Sequence, residues 1–200
     1  SEHGRWLITG DPTEAALLVA ARKGGLDEHT LNALLPRLDV LPFDACRQYM
    51  ATAHAPDGEH ILYVKGALER LLPLCVNQLA SDGRSVPLDT SAIEHAAQAY
   101  AEQGMRVLLL ARRLLPEAAP LTEAAVARLS VIGLVGMIDP PRKAVIAAIR
   151  NCHSAGIRVK MITGDHAVTA LAIARQIGLD AGRALTDRKS TRLNSSHTMT

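Results

Sequence analysis

The sequence predicts two unlike regions in series. A mixed α+β region with a largely antiparallel sheet runs to residue 138, and the opening of an α/β unit on a parallel sheet comes after it. Three observations carry this. Asp57-Gly58, a strong hairpin-turn signal, stands between strand-like runs at residues 47–54 and 60–65. The unbroken apolar run at 131–138 reads as a strand covered on both faces. From there the order strand, helix, strand, helix favours parallel strands joined by right-handed crossovers.

Each element has its own warrant. Asp11, Pro12 and Glu14 form a capping box with proline at the favoured first position, so a helix is expected to Lys23, closed by Gly24-Gly25. A short helix is plausible over 30–35, before Pro36. After the hairpin, Lys65-Gly66-Ala67 punctuates the chain and 68–72 reads as helical. Ser91 and Glu94 form a second capping box, for a helix ending at Gln103-Gly104, and 105–111 is an apolar strand. Asp139-Pro140-Pro141-Arg142 breaks the 131–138 run. A helix is expected over 144–153, a β-branched strand over 157–162 and a helix over 166–177, closed by Gly178. Residues 183–200 are rich in Ser, Thr and Asn; they are expected to be disordered and read as translated adapter or vector sequence, with a native basic arm as the alternative.

Composition excludes several classes. The net charge is +2, and the tail from Arg183 carries four basic residues against one acid, so the body is close to neutral. A broad basic face for nucleic acid is not expected. One Trp, three Tyr and one Phe cannot build an aromatic stacking platform. Cys46, Cys75 and Cys152 lie far apart, with no metal-ligand spacing, and suit a reducing compartment. No stretch approaches the ~18–20 apolar residues that span a bilayer. The opening Ser1-Glu2-His3 has no secretory pattern, and the missing initial Met suggests a piece of a longer chain.

The best-placed chemistry is Thr163-Gly164-Asp165, at the expected carboxyl end of a parallel strand, where loop N–H groups and a helix N-terminus favour phosphate. Asp165 reads equally as the cap of the next helix. Neither a Walker loop nor a dinucleotide fingerprint is present. Lys65, at a strand end before Gly66, is either a solvated lysine or an anion partner. Taken alone, Phe43 reads as a core residue, Arg106 as a solvated charge, and Lys143, Lys160 and Arg175 as surface charges.

Together and in this order, these motifs resemble the cytosolic part of a P-type ATPase, over residues 1 to about 185. Gly10-Asp11-Pro12-Thr13-Glu14 is similar to a nucleotide-domain motif of that family. Pro42-Phe43-Asp44 and Met50-Ala51-Thr52 are similar to its adenine-pocket segment. Lys65-Gly66-Ala67-Leu68-Glu69 resembles its lysine motif, with Leu68 where the family usually has Pro. Gly104-Met105-Arg106 resembles the segment of its phosphate-reaching arginine. Asp139-Pro140-Pro141-Arg142 resembles the hinge, and Met161-Ile162-Thr163-Gly164-Asp165-His166 a signature of the haloacid-dehalogenase-like phosphorylation domain. The details resemble the bacterial form of the calcium and sodium/potassium pump branch.

The resemblance implies an α+β nucleotide-binding domain over 1–138, incomplete at its N-terminus, and the first part of the phosphorylation domain over 139–182. It implies ATP and Mg²⁺ as cofactors. Phe43 would stack on adenine, Glu14 would hydrogen-bond near it, Lys65 would line the pocket and Arg106 would reach the polyphosphate. Thr163, Gly164 and Asp165 would bind phosphate, and Asp139 and Arg142 would form the hinge. Gln48 stands where eukaryotic relatives carry a second nucleotide-contacting lysine. The phosphorylated aspartate would lie upstream of residue 1, and most Mg²⁺ ligands and all membrane helices outside the chain. The parent would then pump a small cation such as Ca²⁺, with this part on the cytosolic face of a multi-pass bacterial cell membrane protein and no nucleic-acid partner. A soluble haloacid-dehalogenase-like phosphatase and a non-catalytic nucleotide-sensing domain are the alternatives.

Overall fold

The computed structural model describes residues 11–116, 120–138, 141–163 and 167–179. Helix α1 (Pro12–Lys23) starts where the Asp11 carboxylate accepts the Thr13 N–H, with Pro12 at its first position. Asp27 caps α2 (Glu28–Leu34), taking both the N–H and the hydroxyl of Thr30, so this helix begins two residues before the expected 30–35. Strand β1 (Arg37–Asp44) was not expected from the sequence. The predicted hairpin is present as β2 (Tyr49–His54) and β3 (His60–Gly66). Asp57 and Gly58 both hold positive φ, 48° and 85°, as a tight two-residue hairpin turn demands.

A single helical turn, α3 (Leu68–Leu71), leads into β4 (Cys75–Leu79) and the short β5 (Ser85–Pro87). Helix α4 (Thr90–Glu102) follows, then β6 (Arg106–Leu115) and β7 (Leu129–Met137). The seven strands form one sheet in the order β1-β2-β3-β6-β7-β4-β5. β1, β2, β3 and β6 pair antiparallel in succession, as do β4 and β5, whereas β4 and β7 pair parallel. The first region is therefore α+β, as expected, but its sheet is mixed.

The chain divides into two compact units, one within Ser1–Thr90 and Leu108–Met137, the other within Ser91–Val107 and Ile138–Thr200. In the first, alternate residues of β2 and β3 turn to a buried face: Tyr49, Ala51 and Ala53 on β2, Leu62, Val64 and Gly66 on β3. Leu62, Leu71, Leu109 and Leu129 are its largest fully buried side chains. Residues 120–128 are fastened to this part of the sheet. The Asp39 carboxylate accepts the Leu121 N–H, and one Arg113 nitrogen donates to the Ala125 and Ala127 carbonyls. Leu121 and Val126 are buried there. Cys75 is buried too, and its Sγ donates to the Leu71 carbonyl at 3.2 Å.

In the second unit, α5 (Lys143–Ser154) and α6 (Ala167–Gln176) accompany most of α4. Gly104, at φ 80°, closes α4, with N–H bonds from Gly104 to the Ala101 carbonyl and from Met105 to the Tyr100 carbonyl. The Thr169 hydroxyl of α6 donates to the Met105 carbonyl at 3.2 Å.

Two expectations for the later region are corrected. The apolar run at 131–138 does not open a separate parallel sheet; as β7 it lies between β6 and β4 of the first sheet. Residues 157–163 are not a strand, and Ile157 and Ile162 are exposed. β-branching favours a pleated, half-buried surface only where a neighbouring strand supplies one. With β7 taken by the first sheet, 157–163 has no ladder partner among the described residues.

Candidate functional site

The register of three strands sets the geometry of the site. Met50 of β2 faces Lys65 of β3 directly, and Lys65 in turn faces Leu110 of β6. On the other side of Met50 the β1–β2 ladder is irregular. Leu41 pairs with Ala51 and Asp44 with Tyr49, so Pro42 and Phe43 together stand opposite Met50 alone. Two residues against one is a bulge, which bends the strand and re-aims its side chains. Phe43, Met50 and Lys65 therefore form a row across β1, β2 and β3. Neighbouring strands lie ~4.8 Å apart, so the row measures about 10 Å from Phe43 to Lys65.

The row is the open face of the sheet. Met50, Thr52, His54, Tyr63 and Lys65 are half-buried, alternating with buried residues on the opposite face. Phe43 is 64% exposed, so the chain's single Phe is not the core residue that its type alone suggests. Lys65 is mostly covered, with 18% of its side chain exposed, and its ammonium makes an ion pair with the Glu14 carboxylate of α1. Glu14 belongs to the first turn of that helix, the turn set by Asp11 and Pro12. The sequence-predicted Glu14, Phe43 and Lys65 are thus brought to one side of one sheet.

Gly66 fixes how closely β2 and β3 approach beside Lys65. It pairs with Tyr49, and a Cβ on it would fall 2.4 Å from the Tyr49 Cβ and 2.6 Å from the Gln48 carbonyl oxygen. No side chain fits there. The Ala67 N–H donates to the same Gln48 carbonyl at 3.0 Å. Gln48 itself sits at φ 59° in the β1–β2 turn. Its amide accepts from Arg70 Nε at 3.3 Å.

The β1–β2 turn is held by Asp44, whose carboxylate accepts the Cys46 and Arg47 N–H groups at 2.8 and 3.1 Å. Those bonds, from Arg47 first and Cys46 second, hold the Asp44 carboxyl below its ordinary value. Sequence reasoning missed Arg47. Its Nη2 donates to the Pro42 carbonyl at 2.9 Å, its Nη1 pairs with Glu123, and its guanidinium carbon lies 6.0 Å from the Tyr49 ring centre. The Glu123 bond comes first among the causes that raise the already high Arg47 value. Nothing local announces a partner 76 residues away.

The other sequence-predicted residues belong to the second unit or lie outside the described residues. Arg106 opens β6 and is exposed. Arg142 precedes α5, without a side-chain cap bond, and its carbonyl accepts the Val145 N–H at 2.9 Å. Thr163 is exposed. Asp139, Gly164 and Asp165 fall among residues that are not described. Among the described residues, no three His, Cys, Asp or Glu side chains gather to hold a metal ion, so the Mg²⁺ implied by resemblance finds no donor set there. A cleft of about 260 Å³, with Asn77, Arg112, Arg113 and Arg128 among its lining, lies elsewhere and includes none of the predicted site residues. The candidate site is an open row rather than a cavity. No helix among the described residues is long and apolar enough to cross a membrane.

Comparison with known proteins agrees with the sequence resemblance. The family model described as "P-type ATPase, cytoplasmic domain N" matches residues 1–144. The "Cation-transporting ATPase pma1" of Synechocystis is 47% identical over 178 residues, 88% of this chain and 20% of that protein. The "Probable cation-transporting ATPase F" of Mycobacterium bovis is 45% identical, again over 88% of this chain and 20% of the relative. The "Calcium-transporting ATPase 1" of Bacillus cereus is 41% identical over 86% of this chain and 20% of its own length. The chain spans about a fifth of the length of these curated relatives. With the family model covering well over half of its residues, the chain belongs to the family of P-type ATPase cytoplasmic N domains.

Proposed function

We propose that this chain is the ATP-binding cytosolic portion of a cation-transporting P-type ATPase, and that ATP seats on the row formed by Phe43, Met50 and Lys65. The row itself carries the reading: an exposed aromatic and a mostly covered lysine, about two strand spacings apart on one open face. Phe43 offers a stacking surface for adenine at little ordering cost. Lys65 supplies a compact positive charge, held ready by Glu14, for a phosphate. The resemblance assigns Arg106 to the polyphosphate.

Residues 139–182 open a haloacid-dehalogenase-like phosphorylation domain, with Asp139 and Arg142 at the hinge and Thr163, Gly164 and Asp165 as its phosphate-binding loop. Residues 183–200 are a non-native tail. The parent protein forms an aspartyl phosphate and couples its turnover to movement of Ca²⁺ or another small cation across the bacterial cell membrane. Phosphoryl transfer rests on positioning and charge stabilisation around an in-line nucleophile. This chain supplies the positioning half: it binds ATP and does not turn it over.

The test is a titration of a fluorescent ATP analogue against the wild-type chain, Phe43→Ala and Lys65→Ala. Base–aromatic stacking is worth ~1–3 kcal/mol, so Phe43→Ala is expected to weaken binding about tenfold or more. Its melting temperature should stay unchanged, because Phe43 is largely outside the core. Lys65→Ala should weaken binding of the analogue and of inorganic tripolyphosphate alike. Failure of the wild-type chain to bind, or equal binding by all three proteins, overturns the reading.

A further inference from the structure

Phe43 stands in a bulge of β1, the outermost strand of the sheet among the described residues, and is 64% exposed. A stacking surface in that position works only if the backbone beneath it is held. The ladder to β2 does not hold it, because the Leu41 and Asp44 pairings leave Pro42 and Phe43 between them. What does hold it is a tie from the opposite face. The Arg47 Nη2 donates to the Pro42 carbonyl, the acceptor next to Phe43 in the chain. The same guanidinium is fixed by its ion pair with Glu123 and lies against Tyr49, which is 8% exposed. Glu123 sits in the 120–128 segment, itself anchored through Asp39 and Arg113.

We infer that Arg47 and Glu123 are positioning residues for base recognition: a brace behind β1 that presents the Phe43 ring for stacking. The inference rests on the proposed nucleotide reading and deepens it. Arginine is the residue the geometry requires. Its planar fork reaches a carboxylate with one nitrogen and a carbonyl with another, whereas a lysine offers one point charge for both. Arg47 keeps only 21% of its side chain exposed and lies against Tyr49, a residue of the buried face of β2. It therefore acts through Pro42 and Phe43 rather than on the ligand.

The experiment compares the wild-type chain with Arg47→Lys and Glu123→Gln, each with and without Phe43→Ala. Two probes are titrated, ATP and inorganic tripolyphosphate, and thermal melting is recorded in parallel. Because the ring is loosened rather than removed, only part of the base-stacking contribution is lost, and ATP affinity should fall about 3- to 10-fold. Tripolyphosphate affinity should stay within about twofold, since it has no base to stack. Phe43→Ala should lose most of its effect in the Arg47→Lys background, the sign of two residues acting as one unit. Glu123→Gln keeps an acceptor on an exposed side chain, so it folds and gives a smaller loss of the same kind. Equal losses for both probes, or an undiminished Phe43→Ala penalty in the Arg47→Lys chain, would show mere support of the fold and overturn the inference. If the wild-type chain binds tripolyphosphate and not ATP, the nucleotide reading itself fails, separately from the brace.

Discussion

Gly66 does more at the site than the lysine beside it suggests. Its backbone packs so close to Tyr49 and Gln48 that a single methyl group would sit 2.4 Å from one neighbour and 2.6 Å from another, and both are parts of the main chain or rooted on it. Neither can rotate away. Gly66→Ala should therefore force β2 and β3 apart and destabilise the chain by about 3 kcal/mol or more, at the upper end of overpacking costs. Denaturant unfolding checks this, and the same variant should lose nucleotide affinity because the Lys65 strand end moves. Cys75 is a contrasting case. Burial pushes its thiol up to about 11, so it stays protonated at neutral pH and serves as a small apolar residue with one weak hydrogen bond. The candidate residues stand out in the sequence as single letters in a recognisable order, and of these the structure brings Glu14, Phe43 and Lys65 to one face. Arg47 was not legible, because a tie to Glu123 is a property of the folded sheet and leaves no local pattern.

Among elements, the two hairpins differ in how they are closed and in what they ask of pH. Asp57-Gly58 works through backbone conformation alone, which is why it could be read from the sequence. The β1–β2 turn works through a charged side chain. Asp44 has a lowered pKa in the fold because two N–H groups bond its carboxylate. Its stabilising contribution is complete above the ordinary carboxyl range near 3.8 and is lost as pH falls through the lowered folded value. Amide exchange at Cys46 and Arg47 should accordingly lose protection below about pH 4, beyond the intrinsic slowing of exchange in acid. Asp44→Asn, still an acceptor, should remove that pH dependence; unchanged acid sensitivity in this variant would count against the assignment. Strand β1 itself escaped prediction because Pro36, Asp39 and Pro42 spoil its alternation, and because a bulge interrupts its pairing. Strands β4 and β5 escaped because five and three residues are too few for a period to register. The opposite error came at 157–162, where a β-branched run reads as a strand but finds no ladder partner among the described residues.

For the whole molecule, the sequence separated an α+β region from the stretch after residue 138, and the mixed sheet agrees with that class. It could not say which strand β7 would join. A continuous apolar run leads one to expect cover on two faces, yet Ile132 and Ile138 are exposed, and the run does not name its neighbours. Its neighbours are β6 and β4, the latter joined in parallel with Cys75 opposite Leu129. That parallel pairing has a kinetic consequence. β1, β2 and β3 join through short local reversals, whereas β4 and β7 meet only after a long intervening stretch has been closed into a loop. Loop-closure entropy must be met before such distant contacts return any stabilisation, so they form late. Substitutions that thin the β4–β7 contact, such as Val131→Ala, should hasten unfolding while leaving the refolding rate nearly untouched; Leu62→Ala in the early hairpin should slow refolding. Stopped-flow traces showing the reverse partition would place the parallel seam in the nucleus. If the seam is the last stitch, the ribbon bearing Phe43 and Lys65 assembles on the ribosome-fresh chain before the far edge of the sheet has closed.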